Sequence, residues 1–185
     1  NLDYFFPVRE RPIDTITLSR AIEGLSAAAP VFVKLDTQGT ELSILQGAQA
    51  LFDARRIVGI EMESTMLAQP LMKGSGKFWQ ACEYLESQGF ELLHVKPIHA
   101  PSPSGRSRSQ QYTFLNECDA VFSLRNDLAA LLPPEYRAGL LAFYMTNLFY
   151  EEALSLIERD DEMASLLHGQ GCPLDELVAL LKASA

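Results

Sequence analysis

The sequence predicts an α/β fold followed by a helical extension. Short β-rich apolar runs alternate with helix-like segments from residue 31 to 95, which implies mostly parallel strands joined by right-handed crossovers. The segment 97–111 has loop-like composition and no helix, so the strand after it is expected to be antiparallel to its predecessor. From about residue 126 the pattern is helical. We therefore divide the chain into an α/β domain, 1–125, and a helical extension, 126–185.

The elements before residue 55 follow from local patterns. Thr17 is the expected N-cap of a helix over about 18–28. The run 31–35 is the first strand, and its apolar residues fall on both faces, as in a strand covered on both sides. A helix over about 40–53 follows, with Thr40 as its expected N-cap.

The later elements of the α/β domain comprise one helix and three strands. The helix covers about 76–88, with Ser75 as its expected N-cap and Gly89 just past its end. Its expected buried side consists of Phe78, Trp79, Cys82 and Leu85. The expected strands are 56–62, 90–95 and 117–124.

Beyond residue 126 the chain is expected to form four helices. Pro134 suits the first position of a helix to about residue 150, which is apolar nearly all round and is therefore buried or faces a partner. Two shorter helices at 150–158 and 161–168 follow. A last helix begins at Pro173 and is expected to bury Leu174, Leu177, Val178 and Leu181.

Composition and charge exclude several classes of protein. The chain has 185 residues, 48% of them hydrophobic, and a formal net charge of −9 without a basic stripe. This charge argues against a nucleic-acid partner and against an anionic membrane surface. The scattered Cys82, Cys118 and Cys172 indicate reduced thiols in a cytoplasmic protein. No apolar run reaches membrane-spanning length, and no signal peptide opens the chain.

The turn after the first strand is the best site candidate. Asp36 ends the apolar run, Gly39 follows in a polar turn, and Glu41 lies in the first turn of the next helix. Ligands of open α/β sheets bind beside such strand ends. The alternative is structural: Asp36 caps the turn, Gly39 adopts a positive φ, and Glu41 complements the helix dipole. Lys34 shares a strand face with Asp36, and either pairs with it, reaches an anionic acceptor, or extends into solvent.

Glu61 and Glu63 close the next predicted strand on one shared face. In a parallel sheet they lie beside the Asp36 turn. Such a pair can bind a polyhydroxylated acceptor, hold a metal, or raise the pKa of one carboxyl, and otherwise they are solvated loop acids.

The remaining polar motifs favour structural interpretations over functional ones. His94 falls at an apolar strand position and is expected in the core, while His99 and His168 lie in loop-like sequence. No His-x-x-x-His or Cys-x-x-Cys spacing occurs, so no metal site is expected. The segment 73–77, Lys-Gly-Ser-Gly-Lys, fails the phosphate-loop pattern and is expected to be a flexible lid-like loop. The run 102–109 is expected to be a solvated loop.

Three short motifs occur in order along the α/β domain. They are Lys34-Leu-Asp36-Thr-Gln-Gly39-Thr-Glu41, Leu45-Gln-Gly47-Ala48 and Gly59-Ile-Glu61. Over roughly residues 13–124 the chain thereby resembles the FkbM family of S-adenosylmethionine-dependent methyltransferases, whose pattern runs K-I-D-x-E-G-x-E, L-x-G-A, then an apolar run closing on Glu. Gln38 departs from the family, which usually has Glu there, although an amide can still hydrogen-bond a ligand or a backbone group.

The resemblance implies the C-terminal half of a Rossmann-like class I methyltransferase sheet, mostly parallel, with one antiparallel strand inserted between parallel ones. The chain begins at Asn1 rather than Met, and the family's cofactor-binding glycine loop would lie upstream. The chain is therefore expected to form one wall of the cofactor site, and to dock against an N-terminal segment or a second copy.

The resemblance also implies the function, which is methyl transfer from S-adenosylmethionine to an oxygen of a small-molecule or glycan-type acceptor. Asp36 and Glu61 are then the catalytic candidates. The candidates for cofactor or substrate binding are Lys34, Gln38, Gly39, Glu41 and Glu63. The alternative is a non-catalytic interaction or dimerisation module, in which the aromatic helix 135–150 and a bare sheet edge pair with another chain.

Overall fold

The computed structural model describes residues 11–26, 29–66, 74–100 and 114–184. Within these residues four strands form one sheet: β1 (Val31–Leu35), β2 (Ile57–Thr65), β3 (Phe90–Ala100) and β4 (Phe114–Leu124). Their order is β1-β2-β4-β3. β1 is parallel to β2, and β4 is antiparallel to both of its neighbours. The expected mixed α/β architecture, with an antiparallel strand inserted between parallel ones, is confirmed for this part of the chain.

Helices connect and follow the strands. Those described are α1 (Leu18–Ala21), α2 (Glu41–Gln46), α3 (Gln49–Asp53), α4 (Phe78–Ser87), α5 (Asn126–Ala129), α6 (Pro134–Thr146), α7 (Tyr150–Arg159), α8 (Asp161–Gly169) and α9 (Leu174–Ser184). None of them combines the length and hydropathy that a membrane crossing needs. The expected helix start at Pro134 is confirmed.

Two predicted helices were too long. The Thr17 Oγ1 atom accepts a bond from the Arg20 amide at 3.3 Å, so the expected cap is confirmed, but α1 ends at Ala21. The expected helix over 40–53 is two helices, because the chain leaves helical geometry at Gly47 and Ala48. Gly47 is a poor helix former, and the following Ala48 is fully buried in the core.

Helix α4 begins later than expected. Its N-cap is Lys77 rather than Ser75, and the Gln80 side chain accepts a bond from the Lys77 amide at 2.9 Å. Gly89 ends the helix as expected, with a φ of +87°. Trp79 was expected to be buried, but it is half-exposed and lies under the Lys77 ammonium group, 5.2 Å from the ring centroid.

Strands β2, β3 and β4 are longer than the sequence predicted. β2 continues to Thr65 because its pairing with β4 runs as far as Thr65 opposite Glu117. Glu61 and Glu63 therefore lie within β2 rather than at its end. β3 continues through Pro97, which lies opposite Cys118, so residues 97–100 are strand and not loop. The segment 102–109 lies outside the described residues.

The two faces of the sheet are covered differently. On one face Val33 of β1, Ile60 of β2 and Phe122 of β4 are buried in the main core. On the other face of β1, Phe32 is 50% exposed and Lys34 is exposed. The expected burial of β1 on both faces is therefore wrong, because α6 covers only the part of this face around Phe32 and Gly59.

Helix α6 joins the helical extension to the sheet. Phe143 lies against Gly59 of β2, and the Tyr144 hydroxyl is 3.4 Å from the Ser123 hydroxyl of β4. The aromatic residues of α6 are thus buried. Of the two expectations for this helix, burial or contact with a partner, burial is confirmed. The buried Arg137 guanidinium bonds Asp160 between α7 and α8, and fixes the helices to one another.

Candidate active site

Charged side chains occupy the part of the sheet face that α6 leaves uncovered. The register places Lys34 beside Glu61, and Glu63 beside Asp119 of β4. Because side chains alternate along strands, these residues share the face that carries Gly59 farther along β2. The two glutamates therefore lie beside the Asp36 turn, as expected, although they lie within β2 and not at its carboxyl end.

The turn from β1 to α2 is held by a buried carboxylate. Glu41, only 5% exposed, accepts bonds from the Thr37 amide at 2.7 Å, the Thr37 hydroxyl at 2.9 Å and the Gly39 amide at 2.9 Å. Gly39 has a φ of +115°, as expected, and Gln38 has a φ of +57°, which is uncommon for a residue other than glycine. Thr40 occupies the N-cap position without a side-chain cap bond. Glu41 therefore stabilises the turn, and its role in binding stays a prediction.

Lys34 pairs with Glu61 and not with Asp36. Its ammonium group donates to the Glu61 carboxylate, and this hydrogen bond raises the pKa of Lys34. The expected pairing of Lys34 with Asp36 is therefore wrong, and the structure shows an ion pair across the two parallel strands that the sequence did not predict. The Glu61 carboxylate thereby has a cationic partner.

Asp36 and Glu63 meet through Gln38. The Gln38 Nε2 atom donates to Asp36 Oδ1 at 3.0 Å and to Glu63 Oε2 at 2.5 Å. Burial, followed by the negative charges of Glu117 and Asp36, raises the pKa of Glu63 to about 7. Burial also raises the pKa of Glu117, with Glu41 and Asp36 adding to the effect. This corner of the site is therefore rich in carboxylates, one of which changes its protonation near neutral pH.

A small cavity lies beside this cluster. Its volume is about 20 Å³, and its lining consists of Gln38, Gly39, Glu41, Glu63, Ser64, Thr65, Ser75 and Glu117. The space suits a single water molecule. Ser75 belongs to the expected lid-like loop, of which Lys73 lies outside the described residues. The carboxylates that line the cavity are Glu41, Glu63 and Glu117, whereas Asp36 and Glu61 do not line it.

A larger cavity of about 700 Å³ lies far from these strands, among α5, α7 and α8. Its buried cation, Arg137, donates to Asp160, to the Leu132 carbonyl and to Glu162 at 2.6 Å. The donors of this guanidinium are thus used within the fold, and we place the candidate site at the strands.

Sequence reasoning missed three residues of the site: Thr37, Glu117 and Asp119. The alternation of Glu117, Asp119 and Val121 along β4 was a usable signal, because an inserted strand must bring alternate residues onto the face of its neighbours. Thr37 gave no comparable signal.

The histidines lie outside the site. His94 was expected in the core, but it is exposed on β3 and its ring contacts Phe149 at 6.4 Å. His99 lies in β3 and His168 in α8, so the expected loop positions are wrong. Among the described residues, no group of three or more His, Cys, Asp or Glu side chains is arranged to hold a metal ion.

Comparison with known proteins agrees with the resemblance of the motifs. Residues 2–92 match the family model of the methyltransferase FkbM domain. The match spans β1, the turn, β2 and the start of β3, so it begins earlier and ends earlier than the expected 13–124. No curated protein and no solved structure matches the chain.

Proposed function

We propose that the chain, whose residues 2–92 match the family model of the methyltransferase FkbM domain, takes part in methyl transfer from S-adenosylmethionine to an oxygen of a small-molecule or glycan-type acceptor. The observation that carries the proposal is the joining of Asp36, at the carboxyl end of β1, to Glu63 of the parallel strand β2, within the matched region. Strand ends of this kind are where open α/β sheets bind ligands.

The chemistry of the site suits this cofactor. When bound, S-adenosylmethionine supplies a methyl group on a positively charged sulfonium, and Asp36 and Glu63 provide negative charge beside it. Gln38 and Gly39 are the adjoining residues that we expect to contact cofactor or acceptor. In the described part of the chain neither Gly-x-Gly pair, 74–76 or 169–171, directly follows a strand, so we propose that a docked N-terminal segment or a second copy of the chain completes the site.

Methyl transfer needs alignment of the acceptor before it needs a base. Asp36 is exposed at the end of β1, where its carboxylate can accept a bond from an acceptor hydroxyl and hold it in line. Glu61 holds the Lys34 ammonium group at the same edge, and this cation can bind an anionic group of the acceptor. A base that takes the hydroxyl proton typically adds about 10² to 10⁴ in rate.

One observation favours a second candidate, a non-catalytic interaction module. Within the described residues β1 pairs only with β2, so its other edge is open to another strand. The aromatic part of this hypothesis loses support, because Phe143 and Tyr144 are buried against the sheet. Methyl transfer is therefore the better supported function.

Calorimetric titration of the chain with S-adenosylhomocysteine tests the proposal. We expect micromolar binding, weakened in Asp36→Asn and unchanged in the control Asp127→Asn, which alters an exposed aspartate of α5. A folded chain that shows no heat of binding would show that residues 1–185 alone do not complete a cofactor site, which leaves the docked segment and the interaction module as the two alternatives. Sedimentation with and without the ligand would show whether a second copy is needed.

A further inference from the structure

The amide of Gln38 lies between carboxylates from two different elements. Its NH₂ group has two hydrogens, and its nitrogen is within bonding distance of Asp36 Oδ1 at 3.0 Å and of Glu63 Oε2 at 2.5 Å. The left-handed backbone of Gln38, with a φ of +57°, turns this side chain toward β2. One neutral donor group therefore holds together two carboxylates that repel each other when both are ionised.

The lysines on this sheet face are paired elsewhere. Lys34 bonds Glu61, and the Lys96 ammonium group lies 3.9 Å from Asp119 Oδ2. The other charges facing Glu63 are negative, namely Asp36 from the turn and Glu117 and Asp119 from β4. Glu63 and Asp36 thus differ from Glu61, whose carboxylate is held by a cation.

We infer that Gln38 ties Asp36 and Glu63 into one pair that shares a proton, and that Glu63, rather than Glu61, is the proton acceptor of the site. The second half of this inference rests on the proposed methyl transfer. There the acceptor hydroxyl proton would move to the Glu63 carboxylate as the oxygen forms its bond to the methyl carbon. The bond from that carbon to the sulfonium sulfur would break with its electron pair going to sulfur, S-adenosylhomocysteine would leave as the neutral thioether, and the proton would then pass to solvent. Glu61 is unsuited to this step because its carboxylate is occupied by the ion pair with Lys34.

The raised pKa of Glu63, about 7, agrees with this geometry. A base is most effective when its pKa lies near the working pH. The pair gains one proton for two carboxyls in this range, and Gln38 remains neutral throughout. A glutamate at position 38 would place a third carboxylate in the cluster and could not donate to the other two when ionised.

Carbon-13 NMR of the chain labelled at glutamate side-chain carboxyls tests the shared proton. Between pH 4 and 9 we expect one resonance with a midpoint near 7, lost in Glu63→Gln and kept in Glu61→Gln. If Glu63→Gln does not fold, Glu63→Asp replaces it. The aspartate carboxyl carries no label, so the same resonance should be absent. Gln38→Met keeps the length of the side chain without its donors, and should move the midpoint upward. A Glu63 midpoint at the ordinary value of about 4.3 would overturn the inference.

The NMR measurement needs neither cofactor nor acceptor, so it separates this inference from the proposed function. Assays with S-adenosylmethionine and a panel of sugar and phenol acceptors then test the proton acceptor. We expect the rate to fall at acidic pH in wild type and in Glu61→Gln, with this acidic limb absent in Glu63→Gln. An unchanged limb in Glu63→Gln would overturn the role of Glu63. Absence of any turnover in wild type would overturn the proposed function, and the proton-acceptor role with it, while the NMR result would stand.

Discussion

The Phe143 ring lies so close to Gly59 that a Cβ atom on Gly59 would come within 2.5 Å of its carbon atoms. Side-chain atoms do not tolerate such a distance, so the hydrogen of Gly59 is what admits the ring to the sheet. Phe143 is 1% exposed, and this contact joins α6 to β2. The packing of the helical extension against the sheet therefore depends on the absence of a methyl group at Gly59.

Gly59→Ala should destabilise the protein by about 1–3 kcal/mol, because the added methyl group overpacks the contact with Phe143. Urea denaturation would measure the change in the free energy of unfolding. Gly169→Ala at the end of α8 is the matched control, since nothing lies within 4 Å of its added Cβ. Equal effects of the two substitutions would show that Phe143 is not the cause.

Glu41→Gln should destabilise the protein by about 1.5–3 kcal/mol, because hydrogen bonds to a buried charged group are lost. The amide keeps one acceptor oxygen for the amides of Thr37 and Gly39, but loses the other and the charge. Thermal unfolding would show the loss. Glu135→Gln is the control, since Glu135 is an exposed acid in the first turn of α6. A comparable loss there would assign the effect to the helix dipole alone.

Glu63→Gln should change how stability depends on pH. The pKa of Glu63 is raised to about 7 in the folded protein from an ordinary 4.5, so the folded state binds more protons between these values. Stability from this group is therefore complete below pH 4.5 and is lost as pH rises through 7. We expect Glu63→Gln to gain stability relative to wild type at pH 8 and to lose that advantage at pH 4.5. A difference that does not vary with pH would contradict this.

Arg137→Ala should cost about 3 kcal/mol, because it leaves the largely buried Asp160 carboxylate without its cation. Asp160 also accepts a bond from the Met163 amide at 2.9 Å, so the start of α8 should loosen as well. Arg125→Ala breaks an exposed ion pair with Asp127 and should cost less than about 1 kcal/mol. Denaturation curves of the two variants would overlap if burial had no effect.

Asp36→Asn should lower the rate of methyl transfer by about 10², because the carboxylate that aligns the acceptor hydroxyl is lost and a misplacement of about 1 Å costs that much. Asp36 is exposed, so the free energy of unfolding should change little. The comparison is with Asp127→Asn, another exposed aspartate, under the same acceptor panel. Wild-type turnover in Asp36→Asn would exclude Asp36 from catalysis.

Local patterns predicted much of the fold. The apolar run at Val31 and the helix start at Pro134 carry their information within a few residues. The antiparallel direction of β4 also followed from local sequence, because the segment before it has no helical pattern, whereas its position between β2 and β3 came from the family resemblance. The turn at Asp36 was identified for the same reason, since the strand, the glycine and the acid are adjacent in the chain.

Other features depend on contacts that sequence spacing does not encode. The pairing of Lys34 with Glu61 requires the register of two strands, and the bridge from Gln38 to Glu63 requires a left-handed residue that is not glycine. The exposure of Phe32 depends on how far α6 extends over the sheet. Tertiary packing decided each of these, and it also distinguishes Glu61, which pairs with Lys34, from Glu63, which accepts a bond from Gln38.

The insertion of β4 sets an order for biosynthesis. β2 and β3 leave the ribosome before the strand that lies between them. The seven residues of β2 from Gly59 to Thr65 therefore lack their partner strand until β4 emerges. At roughly 5–20 residues per second, the interval from Thr65 to Leu124 lasts about 3–12 s. A nascent chain that ends near residue 92, as the family match does, therefore exposes a strand edge that chaperones or other chains can bind.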